Sequence, residues 1–273
     1  MSDMAFKIGF SALEERDGQN ADITPPAEET LPRRSVVQVR FPDRGVPLSY
    51  YNDRFDLHCG DLVFVEGKLE GKRGIVTGVE YNFQIRLSDY KRVIAVADTN
   101  VTGQFHMAGS HLITFDRNAL PRKKAASWFK APAKPEEEYV SGSDEVSFPL
   151  QNLAELPITS EKAERGNAYY MENRVRYLCL DGTKGYAIVE GTSAYDVEFT
   201  YAEGAVSAMT CSCYCAGVCK HEFAALLQLR ESLEGIIKNY TAEYDRTEYF
   251  ASVGKETFVT FAIGSKKTGT ITL

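Results

Sequence analysis

Apolar and polar positions alternate with a period of two along much of this chain, in short runs. Val37, Val39 and Phe41 alternate with Gln38 and Arg40, which predicts a half-buried strand. Pro42-Asp43-Arg44-Gly45 then reads as a turn, and Cys59-Gly60-Asp61 as another before the run LVFVEG at 62–67. Leu69-Glu70-Gly71-Lys72 suits a hairpin, from which residues 73–79 return. The runs YNFQIRL (81–87) and RVIAVA (92–97) predict two further strands. Short strands with glycine turns at this spacing predict a small, strongly bent β-barrel. Residues 112–115 (LITF) suit an edge strand. Farther on, 177–180, 185–191 and 195–200 predict three strands with turns at Asp181-Gly182 and Glu190-Gly191, and 206–209 a fourth. From Glu222 onward Phe223, Leu226, Leu227, Leu233, Ile236 and Ile237 recur at helical spacing. Alternation returns around 258–261 and in the final GTITL. The expected fold class is α+β, mostly β, with an N-terminal small β-barrel and a C-terminal β-β-α domain.

The stretches between these runs set the expected domains. Residues 1–34 are weakly patterned, polar and proline-bearing, which suits a flexible leader. Within it Phe6, Ile8 and Phe10 alternate, as a short docked strand would. APAKPEEEYVSGSDE (131–145) reads as a linker, which places a boundary near residue 140. The barrel domain is then 35–140, with a basic C-terminal stretch, and the second domain is 141–273.

Composition narrows the function classes. Of the 273 residues, 44% are apolar and 25% charged, values that predict a buried core. A formal net charge of −7 gives no whole-molecule attraction to nucleic acid, so any such binding needs a local basic patch. The start lacks the basic-then-apolar pattern of a signal peptide, and no run approaches the ~18 apolar residues of a membrane span. The expectation is a cytoplasmic protein without a membrane partner. In such a reducing compartment, cysteines clustered beside a histidine read as metal ligands rather than disulfides.

That cluster is Cys211-Ser-Cys213-Tyr-Cys215-Ala-Gly-Val-Cys219-Lys-His221. Zinc takes four soft or borderline ligands in a tetrahedron, and two pairs with one intervening residue each supply two. The loop 214–218, with Gly217, brings the second pair back to the first, and His221 opens the apolar helix. The pattern Cys-x-Cys-x5-Cys-x-His, preceded by strand, turn and strand YDVEFTY and followed by HEFAALLQL, resembles the SWIM zinc finger over about residues 185–235. The resemblance implies Cys211, Cys213, Cys219 and His221 as ligands of one structural Zn2+. It also implies binding of DNA or of protein partners, since the family occurs in bacterial Swi/Snf-type ATPases, transposases and recombination accessory proteins. Cys215 is a spare thiol, able to replace Cys213 or Cys211 or to bond weakly beside them. A closed four-ligand site has no open position for water, so it is structural rather than catalytic.

The run from Val36 to Val79 resembles, in its strand–Gly-Asp–strand–hairpin rhythm, the small β-barrels at the N-terminus of primosomal DNA helicases. Arg40, Arg44, Arg54, Lys72, Arg73, Arg86, Lys91 and Arg92 decorate it, diluted by Asp43, Asp53, Asp56, Glu66, Glu70 and Asp89. Arg117, Arg122, Lys123, Lys124, Lys130 and Lys134 interleave with Trp128 and Phe129, a pattern that suits a single-strand contact. The acidic balance favours reading that stretch instead as a solvated linker offset by Glu136, Glu137 and Glu138. The His58-Cys59 pair, His106 and His111 read as ordinary polar positions, and Cys179 as a core thiol. Phosphate-loop, zinc-protease and serine-hydrolase motifs are absent, so no enzyme is expected. The sequence points to a non-enzymatic DNA- or RNA-binding module. The alternative is a protein-interaction adaptor for a helicase-like ATPase or a recombination or repair complex, with zinc purely structural.

Overall fold

The computed structural model describes residues 7–9, 32–133, 142, 146–264 and 270–272. Most of the expected leader, Lys134, and the acidic part of the expected linker lie outside them. The fold is mixed α/β and mostly strands. Among the described residues two compact units form, one from 32–99 with 127–133 and another from 100–126, 146–264 and 270–272. This differs from a single division near 140, because residues 103–114 pair into the sheets of the second unit.

Strand β1 (Lys7–Gly9) pairs far from its sequence neighbours. The first unit follows with β2 (Ser35–Arg40), β3 (Leu48–Asn52), β4 (Leu62–Val65), β5 (Gly74–Glu80) and β6 (Val93–Val96). They form one sheet in the order β3-β2-β5-β4-β6. Its two outer strands meet again where Tyr51 bridges Arg92 and the Tyr51 N–H donates to Lys91 O at 2.9 Å. Alternation explains the core: Val37, Val39, Val63, Val65, Val76 and Val93 all point inward with Phe41 and Leu57. The run YNFQIRL is not a strand. Residues 81–86 are irregular and Leu87–Asp89 makes a 3-10 turn. A strand needs a partner, and the outer strands of this sheet have each other.

The basic stretch departs from expectation in one residue above all. Trp128 is fully buried in the first unit, with its indole N–H donating to Asp98 O at 2.7 Å. Its carbonyl accepts from Arg73 Nη1 at 2.6 Å. It is a core residue and offers no ring to a base.

In the second unit come β7 (Gly103–Gln104), β8 (His106–Ala108), β9 (His111–Thr114), helix α1 (Arg122–Ser127) and β10 (Phe148–Pro149). Helix α2 (Ser160–Met171), β11 (Val175–Asp181), β12 (Lys184–Glu190), β13 (Ala194–Ala202), β14 (Ala205–Cys211) and helix α3 (Lys220–Asn239) follow. The chain ends with α4 (Thr241–Thr247), β15 (Tyr249–Gly254), α5 (Lys255–Phe258) and β16 (Thr270–Thr272). The main sheet is eight-stranded and antiparallel where registers are given, in the order β10-β14-β13-β12-β11-β15-β9-β8. A smaller sheet runs β1-β16-β7.

Two expectations change here. The run at 112–115 is interior rather than an edge, because β8 covers its far side. Residues 258–261 are helical, ending α5 and entering a π-helical turn at Val259–Ile263. Phe258 and Phe261 are both buried, and a spacing of three puts them on one side of a helix but on opposite faces of a strand. Helix α3 lies over β11–β14 and against α2, burying Ala224, Ala225, Leu226, Leu229 and Ile236 in a core with Val175, Leu178, Val189, Val197 and Phe250. It thereby fixes the end of β14 beside its own N-terminus.

Candidate metal centre

The site grows from one hairpin and one helix start. Strands β13 and β14 join through Glu203 and Gly204, which take φ of 50° and 80°, as a tight two-residue turn requires. A bulge between Glu198 and Thr200, opposite Ala208 at φ 49°, bends the hairpin toward its end. Cys211 closes β14 opposite Val197. Beyond it the pairing continues one step, since Ser212 N donates to Asp196 O at 2.9 Å and Ser212 Oγ accepts from Asp196 N at 2.9 Å. The chain then turns through Gly217, at φ 65°, and returns.

Cys219 is the N-cap of α3. Its thiol accepts from Glu222 N at 3.5 Å while its own N–H donates to Glu222 Oε2 at 2.6 Å. That reciprocal pair is a capping box with sulfur in place of a hydroxyl. His221, two residues on, is buried on the first helical turn.

The ligand atoms of Cys211, Cys213, Cys219 and His221 all lie within 4.8 Å of one another. His221 Nδ1 is 3.8 Å from Cys211 Sγ and 3.7 Å from Cys219 Sγ. Zinc bonds of about 2.3 Å to sulfur and about 2.0 Å to nitrogen put tetrahedral ligand atoms about 3.5–3.8 Å apart. The four groups therefore fit one metal ion. Cys215 is exposed and stands outside the group.

The surroundings hold the imidazole in one orientation. Tyr195 stacks on the His221 ring with centroids 4.1 Å apart and planes at 19°, and Tyr169 meets it edge-on at 5.6 Å. Gly191 faces both, and a Cβ there would stand 3.0 Å from the Tyr195 ring, 3.3 Å from the Tyr169 hydroxyl and 3.4 Å from His221 Nε2. His221 Nε2 is buried without a hydrogen-bond partner among the described residues. A neutral ring with its proton on Nε2 leaves Nδ1 as the free electron pair, aimed at the cysteines. From α2, Lys162 Nζ donates to Ala216 O at 3.1 Å and to Val218 O at 3.3 Å, which ties down the returning loop.

Burial makes charge costly on these groups. The hydrogen bond with Cys211 and burial push the Cys219 thiol well above its usual range, with the Glu222 carboxylate adding to them. Burial pushes Cys213 up to about 11, partly opposed by the Cys215 backbone N–H. Burial first, then Lys220 and Arg165, push His221 down to about 4. These surroundings favour the protonated thiols of Cys213 and Cys219 and the neutral ring of His221. A bound cation reverses that preference, because thiolates are the ligand form.

The structure thus brings together all four sequence-predicted ligands and separates Cys215 from them. Sequence reasoning missed Glu222, Lys162, Tyr169 and Tyr195. For Glu222 a signal was present, since Cys-x-x-Glu before an apolar helix has the spacing of a capping box. For Tyr169 and Lys162 there was none, because α2 reaches the Cys/His cluster only through tertiary packing. The chain matches no family model, no curated protein and no solved structure.

Proposed function

We propose that this chain is a SWIM-type zinc protein in which one structural Zn2+ on Cys211, Cys213, Cys219 and His221 stabilises a non-enzymatic module that binds nucleic acid, DNA first. The observation that supports the zinc reading is four donors within 4.8 Å of one another, with His221 Nδ1 at zinc-ligand spacing from Cys211 and Cys219, where the end of β14 meets the cap of α3. Three sulfurs and one imidazole are a donor set that selects zinc over the harder divalent ions.

Charge distribution supports the nucleic-acid part. Residues 32–133 hold 16 Lys and Arg against 10 Asp and Glu, a net of +6, so the remainder of the chain carries −13. The acidic total hides a basic stretch, and such asymmetry is a mark of polyanion binding. The five-stranded sheet whose outer strands meet at Tyr51 and Arg92 suits the small barrel that the resemblance to primosomal helicases implies. No described helix is long and apolar enough to cross a membrane. A cytoplasmic location is proposed because a cluster of unpaired cysteines suits a reducing compartment.

A second reading rests on the −13. An acidic surface suits a basic protein partner such as a helicase-like ATPase, with the finger as an adaptor platform.

Metal analysis and fluorescence anisotropy test these readings together. The expected results are one zinc per chain and salt-sensitive binding of labelled DNA. Absence of zinc after purification without chelator refutes the metal reading. Absence of DNA and RNA binding at low salt refutes the nucleic-acid reading and leaves the adaptor, to be checked by co-purification of a stoichiometric partner.

A further inference from the structure

The burial of Trp128 raises the question of where an unstacked base would rest. Other candidates in the basic stretch are also engaged. Arg117 bonds Asp181 at 2.8 Å, Arg122 pairs with Glu198 while lying 3.8 Å over the Tyr186 ring, and Lys124 Nζ donates to Asn100 O at 2.6 Å. Within the first unit one segment combines exposed aromatic and aliphatic side chains with cations. It is the connection from β5 to β6, residues 81–92, with sequence YNFQIRLSDYKR.

This connection passes from β5 to β6 on the far side of β4, and at twelve residues it is long for a small sheet, a length at which loops commonly serve binding. It is pinned at both ends to one buried ring. Phe83 meets Tyr51 edge-on at 6.2 Å, and Arg92 lies 5.4 Å over the same Tyr51 ring while pairing with Asp53. Between the pins a 3-10 turn shapes the chain, with Asp89 N donating to Arg86 O at 3.0 Å. Tyr81 is 37% exposed and Leu87 is 52% exposed. Arg86 and Lys91 are exposed as well, and the Lys91 stem crosses Gly67. The Arg33 guanidinium sits 4.4 Å from the Tyr81 centroid. An aromatic ring with a stacked arginine, flanked by lysine and arginine on an ordered loop, is the equipment that single-stranded nucleic acid uses.

We propose that residues 81–92, with Arg33, are a contact surface for single-stranded nucleic acid. Tyr81 stacks on a base, and Arg33, Arg86 and Lys91 neutralise the phosphates beside it. The stretch around it, 32–133, is the basic part of the chain, so its charge complements a polyanion and not the acidic remainder. Duplex is the poorer fit, because its bases are already stacked on one another. This proposal rests on the nucleic-acid reading above and names its surface and strand form.

The test is anisotropy of a labelled oligothymidine and of a labelled duplex, titrated with the full zinc-loaded chain across a salt series. Tyr81→Ala is expected to weaken oligothymidine binding roughly 5- to 150-fold, the range for loss of one stacked base, with little change on the duplex. Tyr81→Phe keeps the ring and is expected to keep the affinity. Arg86→Ala with Lys91→Ala is expected to flatten the salt slope by about 1.4, at about 0.7 per phosphate contact on single strands. All these side chains are exposed, and circular dichroism confirms that each variant folds. Unchanged oligothymidine binding in Tyr81→Ala and in the double variant, while the parent still binds, overturns this surface and leaves the nucleic-acid reading intact. Equal losses on duplex and single strand overturn the stacking role. A parent chain that binds neither probe at low salt removes both proposals.

Discussion

Glu222 shows how one side chain can join two structural tasks. Its carboxylate is buried and holds the Cys219 backbone N–H, while its own N–H reaches the Cys219 sulfur. The same contacts cap α3 and aim a proposed metal ligand. Loss of an N-cap pair costs about 1 kcal/mol, and loss of a group that orients a ligand lowers metal affinity roughly 10- to 100-fold. Glu222→Ala is therefore expected to weaken zinc retention by that factor in a competition with a coloured chelator. Glu222→Gln, which still accepts from the Cys219 N–H, is expected to recover most of it. Parental zinc affinity in Glu222→Ala would show that the helix, not the carboxylate, positions Cys219.

Strand pairing sets the next level. Gly185 on β12 stands opposite Phe199 on β13, and the Phe199 ring lies flat over it. A Cβ at 185 would fall 2.0 Å from that ring, inside any allowed contact. Phe199 itself is buried in the core under α3 and has nowhere to retreat. Gly185→Ala is expected to cost about 1–3 kcal/mol, the usual range for overpacking, read as a lowered midpoint in urea unfolding. An unchanged midpoint would mean that the sheet opens here at no cost. Helix α2 teaches a related lesson. Of its residues only Gly166 is fully buried, because its Cα passes close to Lys220 O and the Phe223 ring. A helix docked through a glycine shows almost no apolar stripe, which is why the sequence pattern did not reveal it.

At the scale of the whole molecule, the metal dependence proposed above belongs to one of the two units. The four ligands and the core that α3 covers all lie in the unit that contains β11–β15, while the five-stranded unit has its own core of valines, Phe41 and Leu57. Structural zinc contributes its binding free energy to folding, on the order of 10 kcal/mol in small fingers. Cys219→Ala, or removal of the proposed zinc by a strong chelator, is thus expected to unfold or greatly loosen the unit that contains β11–β15 and spare the five-stranded one. Scanning calorimetry with and without chelator reads this directly, as one transition that moves and one that stays. Two transitions that both stay put would sink the structural role of the metal.

What the sequence determined by itself was local. The four candidate ligands span only 11 residues, so their spacing alone set the knuckle, the return loop and the helix start that bring them together. Strands with a buried face were legible in the same way, because a period of two needs no knowledge of the partner strand, and the apolar repeat of α3 named most of its buried face, although Ile237 is exposed. Tertiary structure alone decided matters that turn on partners distant in sequence. The run at 81–87 alternates like a strand, but the outer strands that would accept it meet each other at Tyr51 and Arg92. Residues 112–115 became interior because β15 and β8 take their two sides. Trp128 left the candidate binding stretch for the core, drawn by a large apolar surface and an indole N–H that finds Asp98 O. Cys215, two residues from Cys213 in a cluster that reads uniformly by composition, faces solvent because the loop turns outward before Gly217 brings it back. Spacing along the chain specifies which groups can meet locally, and only competition among all the chain's surfaces for burial specifies which of them do.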